Sequence, residues 1–232
     1  MGVIGLIGGM SWHSTAAYYR VIQEETAARR GGLASAPLLL ESLDFAVVRE
    51  LQVAGDWDAA GALLAGAGRR LAAAGADVLL IATNLMHKVA PAVEAAIDVP
   101  LLHIADAVAG AAAPARRIGL LGTGWTMTEP FYADRLARHG IDVLIPDPAA
   151  RDGIDAAIFG ELTRGVVTPA TSALLAEASA DLVARGADAV VLACTELELA
   201  IGQDAVAVPL VDSMRAHALA AVEAALTPAP AR

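Results

Sequence analysis

Short apolar runs and longer amphipathic stretches alternate along the chain. Val3–Ile7, Pro37–Leu40 and Val78–Ala82 are each of strand length and almost wholly apolar. Between them, Thr15–Ala28 carries helical spacing with its charges on one face, and Trp57–Ala73 reads as a long Ala/Leu helix stopped by Gly75. Continuously apolar strands are what a parallel sheet covered on both faces requires, because neither face meets water. Strands alternating with helices therefore predict a parallel α/β sheet.

The pattern then repeats. Ile4-Gly5-Leu6-Ile7-Gly8-Gly9 returns as Ile118-Gly119-Leu120-Leu121-Gly122-Thr123, an offset of 114. Each copy is followed by Trp12 or Trp125, then a Thr, then Tyr18-Tyr19 or Phe131-Tyr132. Further on, Gly75-Ala76-Asp77 with Val78–Thr83 returns as Gly186-Ala187-Asp188 with Ala189–Cys194, an offset of 111. Val99-Pro100-Leu101-Leu102 likewise returns as Val208-Pro209-Leu210-Val211. Four landmarks in one order predict two pseudo-symmetric α/β lobes, and such lobes commonly meet at a cleft lined by the carboxyl ends of their strands. The tail Thr227–Arg232 reads as frayed.

Composition narrows the class of function. Cys194 is the only cysteine in 232 residues, which excludes an internal disulfide framework. A formal net charge of −10 argues against nucleic acid as partner. The 56% hydrophobic content excludes a disordered chain, yet no apolar run approaches the roughly 20 residues that span a bilayer. The start Met1–Gly5 lacks a basic region of the signal-peptide kind. The expectation is a soluble, cytoplasmic protein with no membrane partner and length for one large domain or two small ones.

The polar residues gather after the third strand of each half. Thr83-Asn84-Leu85-Met86-His87-Lys88 follows the first, Cys194-Thr195-Glu196 the second. The duplication makes Thr83 and Cys194 equivalents. A thiol between a strand end and a helix start gains from the helix N-terminus, which lowers its pKa. The alternative is a buried structural cysteine, and the strand-end position favours the reactive reading. The glycine turns Gly8-Gly9-Met10-Ser11 and Gly122-Thr123-Gly124 read as cradles whose N–H groups face a small anion. A dinucleotide fingerprint is disfavoured, since Gly5-x-x-Gly8-Gly9 is not G-x-G-x-x-G, and a plain structural turn remains the alternative. His13, His87, His103, His139 and His217 show no metal-ligand spacing, so no metal is expected. Lys88, the only lysine, is the one residue open to a pyridoxal Schiff base, with a surface or carboxylate-binding role preferred. Arg49 and Gln52 read as helix-surface residues or as groups reaching the cleft.

Three motifs resemble the aspartate/glutamate racemase family: Gly5–Trp12 with Ser14-Thr15 and Tyr18-Tyr19, then Ala82-Thr83-Asn84-x-Met86-His87-Lys88, then Leu192–Glu196. The resemblance spans nearly the whole chain. It implies two Rossmann-like lobes with the active site in the cleft between them, no cofactor, a small amino-acid substrate and a homodimer. By similarity the first lobe runs over 1–102 and regains the C-terminal helix over 211–232, with 103–210 as the second lobe. The family's two cysteines act from opposite faces of the substrate α-carbon, one removing a proton and the other delivering one. By the same resemblance Met10 and Ser11 line the substrate, Arg49 with Gln52 one turn on meets its distal carboxylate, and Asn84, Thr123, Thr126 and Thr195 donate to the α-carboxylate or amine. Glu196 stands near the substrate ammonium, and Arg164 is the basic residue of the second lobe.

This chain departs from the pattern at one point, because the first cysteine is Thr83. Threonine there resembles the subgroup specific for L-aspartate and L-glutamate. It implies racemisation that is asymmetric between enantiomers, with Cys194 as the principal acid/base and Thr83 as its weak partner. The rival readings are a one-cysteine decarboxylase or isomerase of small dicarboxylates, and a catalytically impaired amino-acid-binding protein.

Overall fold

The computed structural model describes residues 1–227. The chain divides into two compact units, one of residues 1–104 with the chain from His217 on, the other of residues 105–216.

The first unit is built in the order β1 (Ile4–Gly8), α1 (Trp12–Arg30), β2 (Leu38–Ser42), α2 (Phe45–Ala54), α3 (Trp57–Ala73), β3 (Val78–Ile81), a 3-10 turn Leu85–Val89, α4 (Ala90–Glu94) and β4 (Leu101–Leu102). Helix α5 (Ile104–Ala112) leads into the second unit, which continues β5 (Arg117–Gly122), α6 (Gly124–Thr128), α7 (Pro130–Ala137), β6 (Asp142–Leu144) and α8 (Pro148–Gly160). Then come α9 (Pro169–Ala184), β7 (Ala189–Ala193), β8 (Leu210–Asp212) and α10 (Ser213–Leu226). Each unit holds one four-stranded parallel sheet, ordered β2-β1-β3-β4 and β6-β5-β7-β8. The sheets are the predicted α/β repeat, with the same connectivity twice.

Local chemistry explains the element ends. Helix α1 starts before the expected Thr15 because the Ser11 side chain accepts from the Ser14 N–H and caps it. Strand β2 begins one residue later than predicted, since Pro37 has no N–H and offers only its carbonyl, to the Ile4 N–H at 3.0 Å. Helix α2, which the apolar pattern alone does not mark out, is capped by Asp44 and closed by Gly55 in the left-handed region. Thr227, expected to fray, hydrogen-bonds the Glu223 carbonyl, and the rest of that tail lies outside the described residues.

The central strands β1, β3 and β7 are buried at every position, and β5 at all but its first residue. Ile7, Leu64, Leu79, Ile81 and Val93 lie in the core of the first unit, and Leu121, Ile154, Leu175, Leu182 and Leu192 in that of the second. Each such side chain contributes about 1.5–3 kcal/mol by leaving water. The repeated Gly-Ala-Asp closes each sheet from below: Asp77 accepts the Val3 N–H at 2.7 Å, and Asp188 accepts those of Arg116 and Arg117 at 2.9 and 3.0 Å. Helix α10 is tied to the first unit through Gly2 N–H to the Ala225 carbonyl, Tyr18 to His217 and Arg29 to Glu223.

Candidate active site at the strand ends

In an open parallel sheet, ligands bind outside the carboxyl ends of the strands, where successive connections leave in opposite directions. For these orders that point lies between β1 and β3, and again between β5 and β7. The register makes the two places equivalent. Ile4 pairs with Val78 and Ile118 with Ala189, and five residues beyond Val78 and Ala189 stand Thr83 and Cys194.

In the first unit the turn after β1 needs glycine at Gly9, which has φ +89° and lies so close to Leu43 that a Cβ would fall 2.1 Å from its carbonyl oxygen. One N–H of the anion cradle expected here is already taken. The Gly9 N–H donates to Thr15 Oγ1 at 2.8 Å, and that hydroxyl donates on to the Ser11 carbonyl at 2.9 Å. Met10 is buried and Ser11 half-buried. Thr83 is half-buried, and its hydroxyl has no hydrogen bond to another described residue. Asn84 is buried beside it. Gln52, buried on α2, donates to Met86 Sδ at 3.1 Å and accepts from Arg49 at 3.3 Å. Thus Arg49 and Gln52 are joined to the segment just beyond Thr83. Lys88 stands over the Trp57 ring, 4.1 Å from its centroid, a cation–π contact.

In the second unit Thr123 caps α6, and its hydroxyl meets that of the buried Thr126 at 3.0 Å. The Gly124 N–H, the second expected anion donor, is taken by Asp155 Oδ1 at 2.6 Å. Cys194 is half-buried, and its thiol donates to Glu196 Oε2 at 3.1 Å, an oxygen that also accepts from the Thr195 hydroxyl at 2.7 Å. Arg164 is exposed at the end of the turn Leu162–Arg164, without a side-chain hydrogen bond or ion pair to a described residue. Among the described residues none links it by a hydrogen bond or ion pair to the Cys194 group.

The thiol is not activated as the sequence suggested. Burial pushes its pKa well above the ordinary thiol value, and the charges of Glu196 and Asp155 push it further. Beyond Cys194 the chain forms only a three-residue 3-10 turn, Leu197–Leu199, too short for an appreciable dipole. Asp155 is the site residue that motif reading missed, although its signal is in the repeat. Asp44 and Asp147 cap α2 and α8, and eight residues after each cap come Gln52 and Asp155. Both reach back toward their unit's strand-end segment. Among the described residues, no group of three or more His, Cys, Asp or Glu could hold a metal ion, and no helix is long and apolar enough to cross a membrane.

The chain is thus a duplicated parallel α/β fold with a hydroxyl and a thiol at matching strand ends. A family model described as Asp/Glu/hydantoin racemase matches residues 7–221, and the chain belongs to that family. Among solved structures, a candidate Asp/Glu racemase from Yersinia pestis is 42% identical over 98% of this chain and 100% of its own, with a TM-score of 0.94. An aspartate racemase homologue from Pyrococcus horikoshii is 31% identical over 98% and 100%, with a TM-score of 0.87. Aspartate racemase from Picrophilus torridus, 19% identical over 97% and 94%, shares the fold at a TM-score of 0.72.

Proposed function

We propose that the protein inverts the α-carbon of acidic amino acids, aspartate or glutamate, by proton removal and return without a cofactor. The observation that carries this reading is the matched register of Thr83 and Cys194. Inversion needs a base on one face of the α-carbon and an acid on the other, and the duplication supplies one candidate for each role.

In the direction that starts at the thiol, Cys194 transfers its proton to Glu196 as the substrate settles. The thiolate then takes the α-proton: the C–H bond breaks, an S–H bond forms, and the electron pair moves into the substrate carboxylate. Thr83 delivers its hydroxyl proton to the opposite face, and the proton held by Glu196 returns through water to the threonine alkoxide, which restores every group to its starting form. The α-proton is very weakly acidic, so donors around the α-carboxylate must stabilise the carbanion. Asn84, Thr123, Thr126 and Thr195 are assigned that task, Met10 and Ser11 line the substrate, and Arg49 with Gln52 meets the distal carboxylate. Arg164 supplies positive charge to the second unit. A threonine hydroxyl is a far weaker acid than a thiol, so solvent exchange with retention is faster for the enantiomer attacked by Cys194, and kcat and KM differ between the enantiomers while their ratio for inversion is equal in both directions. The active form is taken to be the homodimer, which sedimentation of the intact protein tests.

The decisive measurement incubates each enantiomer of aspartate and glutamate in D2O, beside substituted malonates, and follows α-deuteration and chirality. Deuterium incorporation with inversion is expected from both enantiomers, with faster exchange with retention into one of them. No exchange from any enantiomer overturns the reading, and carbon dioxide release from malonates would favour the decarboxylase instead.

A further inference from the structure

The segment just beyond Thr83 is held by an imidazole with a defined proton position. His87 is 1% exposed, and His103 and His217, at 6% and 0%, lie around it with ring centroids 4.6 and 5.4 Å away. The Ile104 N–H donates to His87 Nε2 at 3.2 Å. An amide N–H can only donate, so Nε2 carries no proton, and the ring proton sits on Nδ1. Nδ1 lies 2.8 Å from the Thr83 carbonyl oxygen, which can only accept. His217 is oriented in the opposite sense: Nε2–H donates to the Leu102 carbonyl at 2.9 Å, and Nδ1 lies 2.9 Å from the Tyr18 hydroxyl. The two imidazoles grip the chain on either side of His103, where β4 passes into α5.

The second unit has no such clip. The residue four beyond Cys194 is the exposed Glu198, and the Cys194 carbonyl accepts from the Leu197 N–H at 3.2 Å instead. The difference tracks the chemistry of the two strand ends. A β-branched side chain is restricted at its single torsion, so the backbone position of threonine confines its hydroxyl to a few directions. A weak acid with one lone hydroxyl depends on that direction, since small misplacements at a reacting centre cost up to about 100-fold.

We propose that His87 is a positioning residue for Thr83, its Nδ1–H holding the Thr83 carbonyl so that the hydroxyl meets the substrate on the face opposite Cys194. This rests on the racemase reading of the same site. It predicts a particular failure when the clip is lost. Cys194 can still remove a proton, exchange it with solvent and return deuterium to the same face, so exchange with retention persists while inversion falls.

The test compares His87→Asn, His87→Gln and His87→Ala in D2O. The Asn amide nitrogen stands where Nδ1 stood and can still donate to the Thr83 carbonyl, whereas the Gln amide overlays Nε2 and cannot. The ratio of inversion to exchange with retention is expected to drop about tenfold or more in His87→Gln and His87→Ala and to recover in His87→Asn. Melting curves establish which variants fold, and the Asn–Gln pair suffices if Ala does not. A proportional fall of inversion and exchange in every variant overturns the inference, because that is what loss of packing alone produces. Variants indistinguishable from the parent protein also overturn it while leaving the racemase reading intact. A parent protein that exchanges no enantiomer overturns both.

Discussion

A thiol hydrogen-bonded to a carboxylate is a base only after the carboxylate has taken its proton. Cys194 and Glu196 form such a pair, and its resting form is the protonated thiol, since burial and the neighbouring charge disfavour thiolate. That resting form sets the sign of the pH dependence. For the enantiomer attacked by Cys194, kcat/KM of the free enzyme rises with pH toward the raised thiol value, because there solvent takes the thiol proton and adds to the thiolate that transfer to Glu196 supplies. Glu196→Gln removes one of the two charges that raise it. The alkaline limb is expected to move to lower pH, in step with thiolate absorbance, while the rate well below that limb falls because the internal proton acceptor is gone. A limb that stays in place separates Glu196 from the thiol. Counting along the repeat is enough to find Cys194 and Thr83, because strand register is a one-dimensional property. The direction of the thiol shift is not legible in the sequence, because it depends on where the Glu196 and Asp155 side chains point.

The elements show the same division between spacing and side-chain placement. The pattern locates the four central strands, since double-sided burial leaves an unbroken apolar run. It does not distinguish the tasks of the glycines in the first-strand repeat. Gly9 serves the turn, but Gly5 and Gly119 lie inside β1 and β5, where a Cβ would meet Leu79 at 2.2 Å and Leu182 at 2.8 Å. In β5 the missing side chain is what lets α9 pack closely on the sheet. Gly119→Ala must displace Leu182, which is fully buried, and is expected to cost about 1–3 kcal/mol by chemical denaturation with the fold retained. The start of β5 gives a second expectation, in acid. Two backbone N–H groups, aided by the Arg117 charge, hold the Asp188 carboxyl below the usual carboxylate range. A carboxyl with a lowered folded pKa stabilises fully above the unfolded value, and the contribution disappears as pH falls through the folded one. Asp188→Asn should therefore melt earlier at neutral pH and lose less stability on acidification than the parent. Equal acid slopes in the two melting series would remove Asp188 from the acid transition.

Across the whole molecule, duplication turns one unit into a control for the other. Both sheets have one order and one register, and they place a different group at the corresponding strand end. The surroundings differ as well: the position of Glu196, two beyond the thiol, is held in the first unit by the buried Leu85. A cysteine introduced by Thr83→Cys would thus lack an adjacent carboxylate to raise its pKa, and should ionise more readily than Cys194. If the equivalence is functional, this substitution supplies the acid–base strength the hydroxyl lacks. Exchange with retention of the enantiomer whose α-hydrogen faces Thr83 should gain about 100-fold, the scale of a well-matched general acid or base. Exchange of the other enantiomer should change less, because its proton abstraction still belongs to Cys194. The two rates would then converge, and a pH profile of the variant should show a second, lower thiol limb that Cys194→Ala leaves standing. Unchanged rates with a titratable new thiol would mean that matched register does not carry matched function, which is the premise on which the two-face reading depends.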